Sequence, residues 1–207
     1  MTTTLPTRAA SVLEELLAGN ERYSRDEPRH PHLDRGTRAT LCAGQHPIAA
    51  VLACSDSRVP PTLVLDQGLG DLFVVRNAGQ ILSPDALASL EYAVLELDVP
   101  LIVVLGHEGC GAVGAASAAF GGDTIPEGHL VQVLAPLAPA VAVAAKRTGD
   151  AKPEDLADVA GRVHLGMTVA ALQRAEPIVA RRLAEGRLAV VGLRYELESG
   201  LVRPQEE

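Results

Sequence analysis

The segment PIAAVLAC (residues 47–54) is one of four short, almost fully apolar runs that decide the fold. The other three are LFVVRNA (72–78), LIVVLGH (101–107) and LAVVGLRYEL (188–197). Continuous rather than alternating apolarity is expected of parallel strands that are covered on both faces. Between the second and third runs, SPDALASLEYAVLEL (83–97) has Ser83 as N-cap, Pro84 at the first helical position and apolar residues at helical spacing. This order predicts a right-handed crossover between parallel strands.

Helical patterns surround these runs. From Ser11, SVLEELLAGNERY repeats apolar residues at helical spacing, with Ser11 as N-cap and Glu14 completing a capping box. Residues 24–45 are rich in charge, proline and glycine, and are predicted to form a connecting arm. Another helix is predicted from Gly111 in GAVGAASAAF, and residues 128–185 are predicted to hold two or three more.

Together these elements predict a single α/β domain over residues 1–207, with a mostly parallel central β-sheet flanked by helices. Residues 11–45 are its N-terminal helix and arm, and residues 46–207 are the α/β core. The apolar fraction of 47% is that of an ordinary globular protein. The net charge of -8 has the wrong sign for a protein that binds a phosphate backbone, so no nucleic-acid partner is expected.

The sequence also predicts the setting in which the protein works. Its most apolar stretch, residues 131–145, is interrupted by Pro136 and Pro139 and is shorter than the roughly 20 residues that span a bilayer. The first residues lack the basic start and apolar block of a secretory signal. No membrane association and a cytoplasmic, reducing location are therefore expected. Three cysteines, an odd number in such a setting, favour metal binding or catalysis over a disulfide framework.

Potential metal ligands follow two of the predicted strands. Cys54 ends the first apolar run, while His107 and Cys110 lie at and just past the end of the third. In open α/β sheets, ligands bind beyond the carboxyl ends of the strands. The His-x-x-Cys spacing lets two side chains from one turn reach the same ion. Two thiolates and one imidazole suit zinc best among the common metals.

The residues leave two kinds of zinc site open. Three protein ligands with an open position make a catalytic site, whereas four make a structural one. Cys42 is a candidate for a fourth ligand, although it lies in the polar arm. Asp56 is nearer to Cys54, but Arg58 would compete for its carboxylate through a bidentate ion pair.

Other interpretations of the same residues are weaker. GCGAVG (109–114) has the form of a dinucleotide-binding loop, but it follows the third strand and contains Cys110. Its glycines are better explained by a tight turn, with the following helix N-terminus offering amides to an anion. A buried cysteine is usually a small apolar side chain. No functional role is predicted for Cys42, His30, His32, His129 and His164.

Three motifs, CSDSRV, DLFVVRNAG and LGHEGCGAV, in this order resemble those of the β-class carbonic anhydrases. The likeness covers nearly the whole chain. It implies zinc bound by Cys54, His107 and Cys110. It also implies Asp56 and Arg58 as the catalytic pair, and reversible hydration of carbon dioxide to bicarbonate and a proton by zinc-bound hydroxide.

Further positions resemble the plant-like branch of that family. The resemblance implies that Gln45 hydrogen-bonds substrate and that Phe73 and Tyr92 line the carbon dioxide pocket. Gly111, at the start of the helix after the ligands, is included in the substrate site. The other branch carries a tryptophan where this chain has Val51, and that tryptophan forms a non-catalytic bicarbonate site. This second site is therefore expected to be absent.

The resemblance further implies a homodimer or homotetramer whose active site lies at the subunit boundary. The N-terminal helix is expected to pack on the partner subunit, with packing on its own subunit as the alternative. Two other functions remain open. One is a related zinc hydrolase that acts on carbonyl sulfide or carbon disulfide. The other is a non-enzyme in which zinc, closed off by a fourth ligand, only holds a dimer together.

Overall fold

A computed structural model describes residues 5–124, 127–149 and 152–205 of the chain. In these ranges it shows one five-stranded sheet in the order β2-β1-β3-β4-β5. The strands are β1 (Ala49–Cys54), β2 (Leu72–Asn77), β3 (Leu101–His107), β4 (Ala189–Tyr195) and β5 (Val202–Pro204). The first four are parallel, and β5 pairs antiparallel with β4. The predicted α/β architecture with a mostly parallel sheet is confirmed.

Eight α-helices and one short 3-10 turn, Gly128–Leu130, connect and flank the strands within the described residues. The helices are α1 (Thr7–Ser24), α2 (Arg35–Leu41), α3 (Pro61–Val64), α4 (Pro84–Glu96), α5 (Gly111–Phe120), α6 (Val131–Thr148), α7 (Pro153–Gln173) and α8 (Val179–Ala184). The predicted cap of α4 is present, because the Ser83 hydroxyl accepts a hydrogen bond from the Ala86 amide.

The N-terminal segment differs from its prediction in two details. Helix α1 begins at Thr7, directly after Pro6, and Ser11 lies inside it, where its hydroxyl donates to the Thr7 carbonyl. Ser11 is therefore not an N-cap. The predicted arm contains α2, whose N-cap Asp34 accepts hydrogen bonds from the amides of the first helical turn. A single well-placed carboxylate is enough to start a helix in a polar segment.

Helix α6 runs without a break through Pro136 and Pro139, so these prolines do not interrupt the apolar stretch as predicted. Its buried side chains, Leu134, Leu137 and Val141 among them, pack into the core, and tertiary packing overrides the low helix propensity of proline. An 18-residue window within residues 128–148 has a mean hydropathy of 1.6, and the segment is long and apolar enough to cross a membrane. Length and composition alone carry that observation, and core helices of globular proteins share it.

Helices cover both faces of the sheet. One face packs on α1, α5 and α6, and the other packs on α4, α7 and α8. All six residues of β1 and all seven of β3 are buried, which explains their unbroken apolar sequences. Ala9 and Leu16 of α1 are fully buried in this chain's own core. The structure thus shows α1 packed on its own subunit; contact of its outer side with a partner stays a prediction.

Candidate metal centre

The carboxyl ends of β1 and β3 lie side by side in the sheet. The two strands are parallel neighbours, with Ala53 opposite Leu105, so that the chain leaves both at the same edge. Cys54 ends β1, His107 ends β3, and Cys110 is the residue before α5. The three predicted metal ligands therefore come together, although about fifty residues separate the first from the other two.

Their potential ligand atoms form a tight, buried cluster. One sulfur or nitrogen from each of the three side chains lies within 4.8 Å of the others, and the two sulfurs are 3.9 Å apart. Each residue is less than a tenth exposed. Two thiols and an imidazole are thus held together in the protein interior, where polar groups are costly unless they have partners.

The imidazole of His107 has one nitrogen satisfied and one free. Nδ1 lies 2.7 Å from the carbonyl oxygen of Glu108. A carbonyl oxygen only accepts, so Nδ1 carries the proton and Nε2 carries the lone pair. Nε2 is buried and has no hydrogen-bond partner among the residues that the structure describes. A histidine whose outer nitrogen donates to a backbone carbonyl while its inner nitrogen awaits a ligand has the form of a metal-bound histidine.

The two thiols need a cation before both can ionise. The hydrogen bond between the Cys110 and Cys54 sulfurs, in which either atom can be the donor, and the Gly79 amide 3.3 Å away hold the pKa of Cys54 well below its usual range. The pKa of Cys110 is raised, chiefly because the Cys54 thiolate lies beside it and because it is buried. A divalent ion among the three donors removes this conflict, since coordination deprotonates thiols outright. The donor set therefore fits a bound metal.

Asp56 and Arg58 form a bidentate ion pair next to the cluster. The Arg58 Nε and Nη2 atoms donate to the two carboxylate oxygens of Asp56 at 2.9 and 2.7 Å. Nη2 also donates to the Gly109 carbonyl at 3.0 Å, which ties the loop after β1 to the loop after β3. These hydrogen bonds from Arg58 hold the pKa of Asp56 well below its usual range. The carboxylate is thus ionised and engaged, not free to act as a fourth ligand.

Cys42, the other candidate for a fourth ligand, lies far from the cluster. It is exposed at the end of α2 and donates to the Arg38 carbonyl at 3.4 Å. It precedes the start of β1, whereas Cys54 is at the opposite end of that strand. Among the described residues, the cluster has three protein ligands, which is the number found in catalytic zinc sites.

Sequence reasoning missed Arg76, which supports the site from β2. Its guanidinium donates to the carbonyls of Cys54 at 2.8 Å and Asp56 at 2.7 Å, and so fixes the backbone on both sides of Ser55. The Ser55 amide in turn donates to the Asn77 carbonyl. The available signal was a single charged residue within the apolar run LFVVRNA.

Of the four residues predicted to contact substrate, only Gly111 lies next to the metal ligands in this chain. Gly111 follows Cys110 directly, and open space surrounds the position that a side chain would take. Gln45 lines a surface pocket with Leu69 and Gly70 before the amino ends of β1 and β2, whereas Cys54 is at the carboxyl end of β1, a strand roughly 17 Å long. Phe73 pairs with Ala50, four residues short of Cys54.

Tyr92 lies next to Phe73 and not next to the Cys-His-Cys cluster. The two rings are 6.1 Å apart, and Tyr92 is half exposed on α4. A single chain therefore assembles the metal ligands, Asp56 and Arg58, but leaves Gln45, Phe73 and Tyr92 away from them. The assignment of these three residues to the substrate site stays a prediction.

The fold and the cluster define a class of protein: an α/β protein that presents a Cys-His-Cys metal site at the carboxyl edge of a parallel sheet. A family profile described as carbonic anhydrase matches residues 49–202. The chain belongs to the carbonic anhydrase family, in its β class, and is an enzyme of that family.

Relatives support this assignment over nearly the whole chain. Carbonic anhydrase 2 of Mycobacterium tuberculosis is 43% identical over 200 residues, which cover 97% of this chain and 93% of the relative. A carbonic anhydrase of Mycolicibacterium smegmatis is 40% identical, covering 89% and 87%. A solved tetrameric β-carbonic anhydrase of the fungus Sordaria macrospora is similar in fold, with a TM-score of 0.73, 28% identity and 94% coverage of each chain. These names give the carbonyl sulfide alternative no support.

Proposed function

We propose that this chain catalyses the reversible hydration of carbon dioxide to bicarbonate and a proton, with zinc held by Cys54, His107 and Cys110. One observation carries the proposal: the buried, unpartnered Nε2 atom of His107 belongs to a group of two thiols and an imidazole within 4.8 Å of one another. Two sulfurs and one nitrogen match zinc better than magnesium or calcium, which prefer oxygen. The remaining alternative, a protein in which zinc is purely structural, requires a fourth protein ligand, and the described residues do not provide one at this cluster.

The surrounding residues have distinct tasks. Zinc, when bound, lowers the pKa of water and so supplies a nucleophile near neutral pH. Asp56 accepts a hydrogen bond from the reacting oxygen and directs its lone pair toward the carbon of carbon dioxide. Arg58 keeps Asp56 ionised and fixed in orientation. The amides at the start of α5, near Gly111, offer hydrogen bonds to the anionic product.

A second copy of the chain would complete the substrate pocket. Gln45, Phe73 and Tyr92 lie beyond the reach of this chain's own cluster, on the side of the sheet where β2 forms an edge. Val74 on β2 and Leu95 on α4 are exposed on the same side. Because the Sordaria relative is tetrameric, we propose a homodimer or homotetramer in which these residues contribute to a partner's site.

The free thiols fit the reducing cytoplasm, which we propose as its location.

The decisive experiment replaces one ligand and measures two properties. Cys54→Ser should lose zinc, measured by metal analysis, and carbon dioxide hydration, measured by stopped flow, together. Cys42→Ser is the matched control, since it makes the same change at an exposed cysteine, and it should retain both. A Cys54→Ser protein that keeps its zinc and its rate would refute the proposal, as would a zinc-loaded wild type without activity.

A further inference from the structure

His164 on α7 is a buried histidine that is connected to the metal centre through hydrogen bonds of one intervening residue. Its Nε2 atom lies 2.8 Å from the carbonyl oxygen of Gly79. Because that oxygen only accepts, Nε2 carries the proton and donates it. The amide of the same glycine donates to the Cys54 sulfur at 3.3 Å. Two hydrogen bonds, both made by Gly79, thus connect helix α7 to the metal ligand Cys54.

The backbone conformation of Gly79 depends on hydrogen bonds from other residues. Its φ of +78° lies in the region that favours glycine, and an added Cβ would lie 3.2 Å from the Cβ of Ala112. Glycine has the greatest backbone freedom of any residue, so its own conformational preference does not fix the direction of the N–H bond. The His164 hydrogen bond holds the carbonyl on one side of this residue. The Asn77 side chain, which bonds both backbone groups of Ile81, closes the turn that follows.

The histidine performs this task without a charge. Burial lowers the pKa of His164, more than the nearby carbonyls of Gly79 and Gln80 raise it. The residue is 5% exposed, and its helix packs on β3 and β4. A neutral donor fixes the glycine without placing a positive charge behind the thiols. Its contribution is therefore one of geometry.

We infer that His164 is a positioning residue for the metal centre: through Gly79, it aims the hydrogen bond that orients the sulfur of Cys54. This inference rests on the zinc-binding function proposed above. Groups that orient metal ligands from outside the coordination sphere typically contribute about 10- to 100-fold to metal affinity. The sequence separation of 85 residues between His164 and Gly79 hides this role from any local motif.

The test compares two replacements in the full-length protein. His164→Met keeps the volume but removes the donor, whereas His164→Gln places an amide N–H near the position of Nε2. The zinc dissociation constant is measured by competition with a chelator, and the thiolate-to-metal absorption is recorded after substitution with cobalt(II). His164→Met should weaken zinc binding by about 10- to 100-fold and shift the cobalt spectrum. His164→Gln should retain wild-type values.

A control on the same helix separates positioning from stability. Leu172→Ala removes a fully buried side chain eight residues along α7, about 12 Å away, and should lower the thermal midpoint while leaving zinc affinity unchanged. Unaltered zinc affinity in His164→Met, or an equal loss in Leu172→Ala, would overturn the inference. If His164→Met does not fold, His164→Asn, too short to reach Gly79, is judged by the same outcomes. A wild type that binds no zinc would instead defeat the proposed function.

Discussion

At the scale of single residues, Arg58 gives the most direct prediction. Its two hydrogen bonds to Asp56 set the direction of the carboxylate, and a lysine cannot reproduce them because it offers a point charge rather than a planar pair of donors. We expect Arg58→Met to lower kcat/KM for hydration by on the order of 100-fold, a loss typical of misplaced reacting groups, with Arg58→Lys intermediate. Stopped-flow rates test this, and zinc content should stay constant. Full activity in Arg58→Met would contradict the assigned role.

The ligand set predicts the pH dependence of the reaction. Three neutral imidazoles, the ligands of another carbonic anhydrase class, leave zinc doubly positive and bring the pKa of water to about 7. Zinc bound at this cluster would have its charge neutralised by two thiolates, so water on it would be acidified less. Hydration by the zinc-loaded wild type should rise with pH through and above about 7. A rate that is constant from about pH 6 to 9, measured in buffers of equal ionic strength, would show that the thiolates do not have this effect.

The residues that could be predicted from sequence are those whose partners are close in sequence or at matching strand ends. Cys54, His107 and Cys110 satisfy this condition, and so does the neighbouring pair of Asp56 and Arg58. Arg76 and His164 do not, since each acts on backbone groups of a distant segment. Backbone partners leave no trace in residue type, so only the folded chain reveals them.

At the scale of elements, burial explains which predictions succeeded. Strands β1 and β3 are covered on both faces, so their sequences are apolar throughout and their positions agree with the predicted runs within two residues. The short antiparallel β5 has only one buried residue and gave no such pattern. The start of α1 was misplaced, because Pro6 rather than a hydroxyl side chain precedes it. Helix α6 continues through its two prolines because tertiary packing outweighs their low helix propensity.

Asn20 joins three elements and predicts a large loss of stability. Its side-chain amide donates to the carbonyls of Val64 and Gly200, and its oxygen accepts from the Val202 amide. Asn20→Leu would leave these backbone groups without partners, and each buried unpaired group costs about 1–3 kcal/mol. We expect the free energy of unfolding, measured with urea, to fall by about 3 kcal/mol or more. Glu14→Ala on the exposed side of α1 should change it by less than about 0.5 kcal/mol.

Asp66 makes the attachment of α1 sensitive to acid. Burial alone would raise the pKa of its carboxyl, but the amides of Arg29 and His30 and the Arg22 guanidinium together lower it. Because the folded-state pKa is below the unfolded value of about 4, ionised Asp66 stabilises the fold above that pH. This stability is lost as the pH falls through the folded-state pKa.

Urea unfolding at neutral and acid pH tests this attachment. At pH 7, Asp66→Asn should lower the free energy of unfolding by about 3 kcal/mol, because it leaves the Arg22 charge without its partner. Below about pH 4 the difference between variant and wild type should shrink. A difference that stays the same from neutral pH to about pH 3 would mean that ionisation of this carboxyl does not stabilise the fold.

At the scale of the whole molecule, assembly and activity should depend on each other. Val74→Lys places a charge on the exposed edge strand β2, next to Phe73. A lysine on an edge strand opposes pairing with another chain. We expect smaller assemblies by light scattering and a large loss of hydration, with one zinc still bound per chain. Met167→Lys, at an exposed apolar residue of α7, is the matched control and should keep its activity. A fully active single chain in Val74→Lys would contradict the shared site.

The placement of the tyrosines gives the protein two optical reporters. The chain has no tryptophan, so its ultraviolet emission comes from three tyrosines. Tyr23 and Tyr195 form a pair with ring centres 6.5 Å apart, and Tyr195 lies directly opposite His107 across β3 and β4. Tyr92 is half exposed on α4, with the ring of Phe73 6.1 Å away. We expect fluorescence from the pair to change when a metal ion binds, and fluorescence from Tyr92 to change on contact between subunits; comparison of the wild type with Tyr92→Phe tests the two contributions separately.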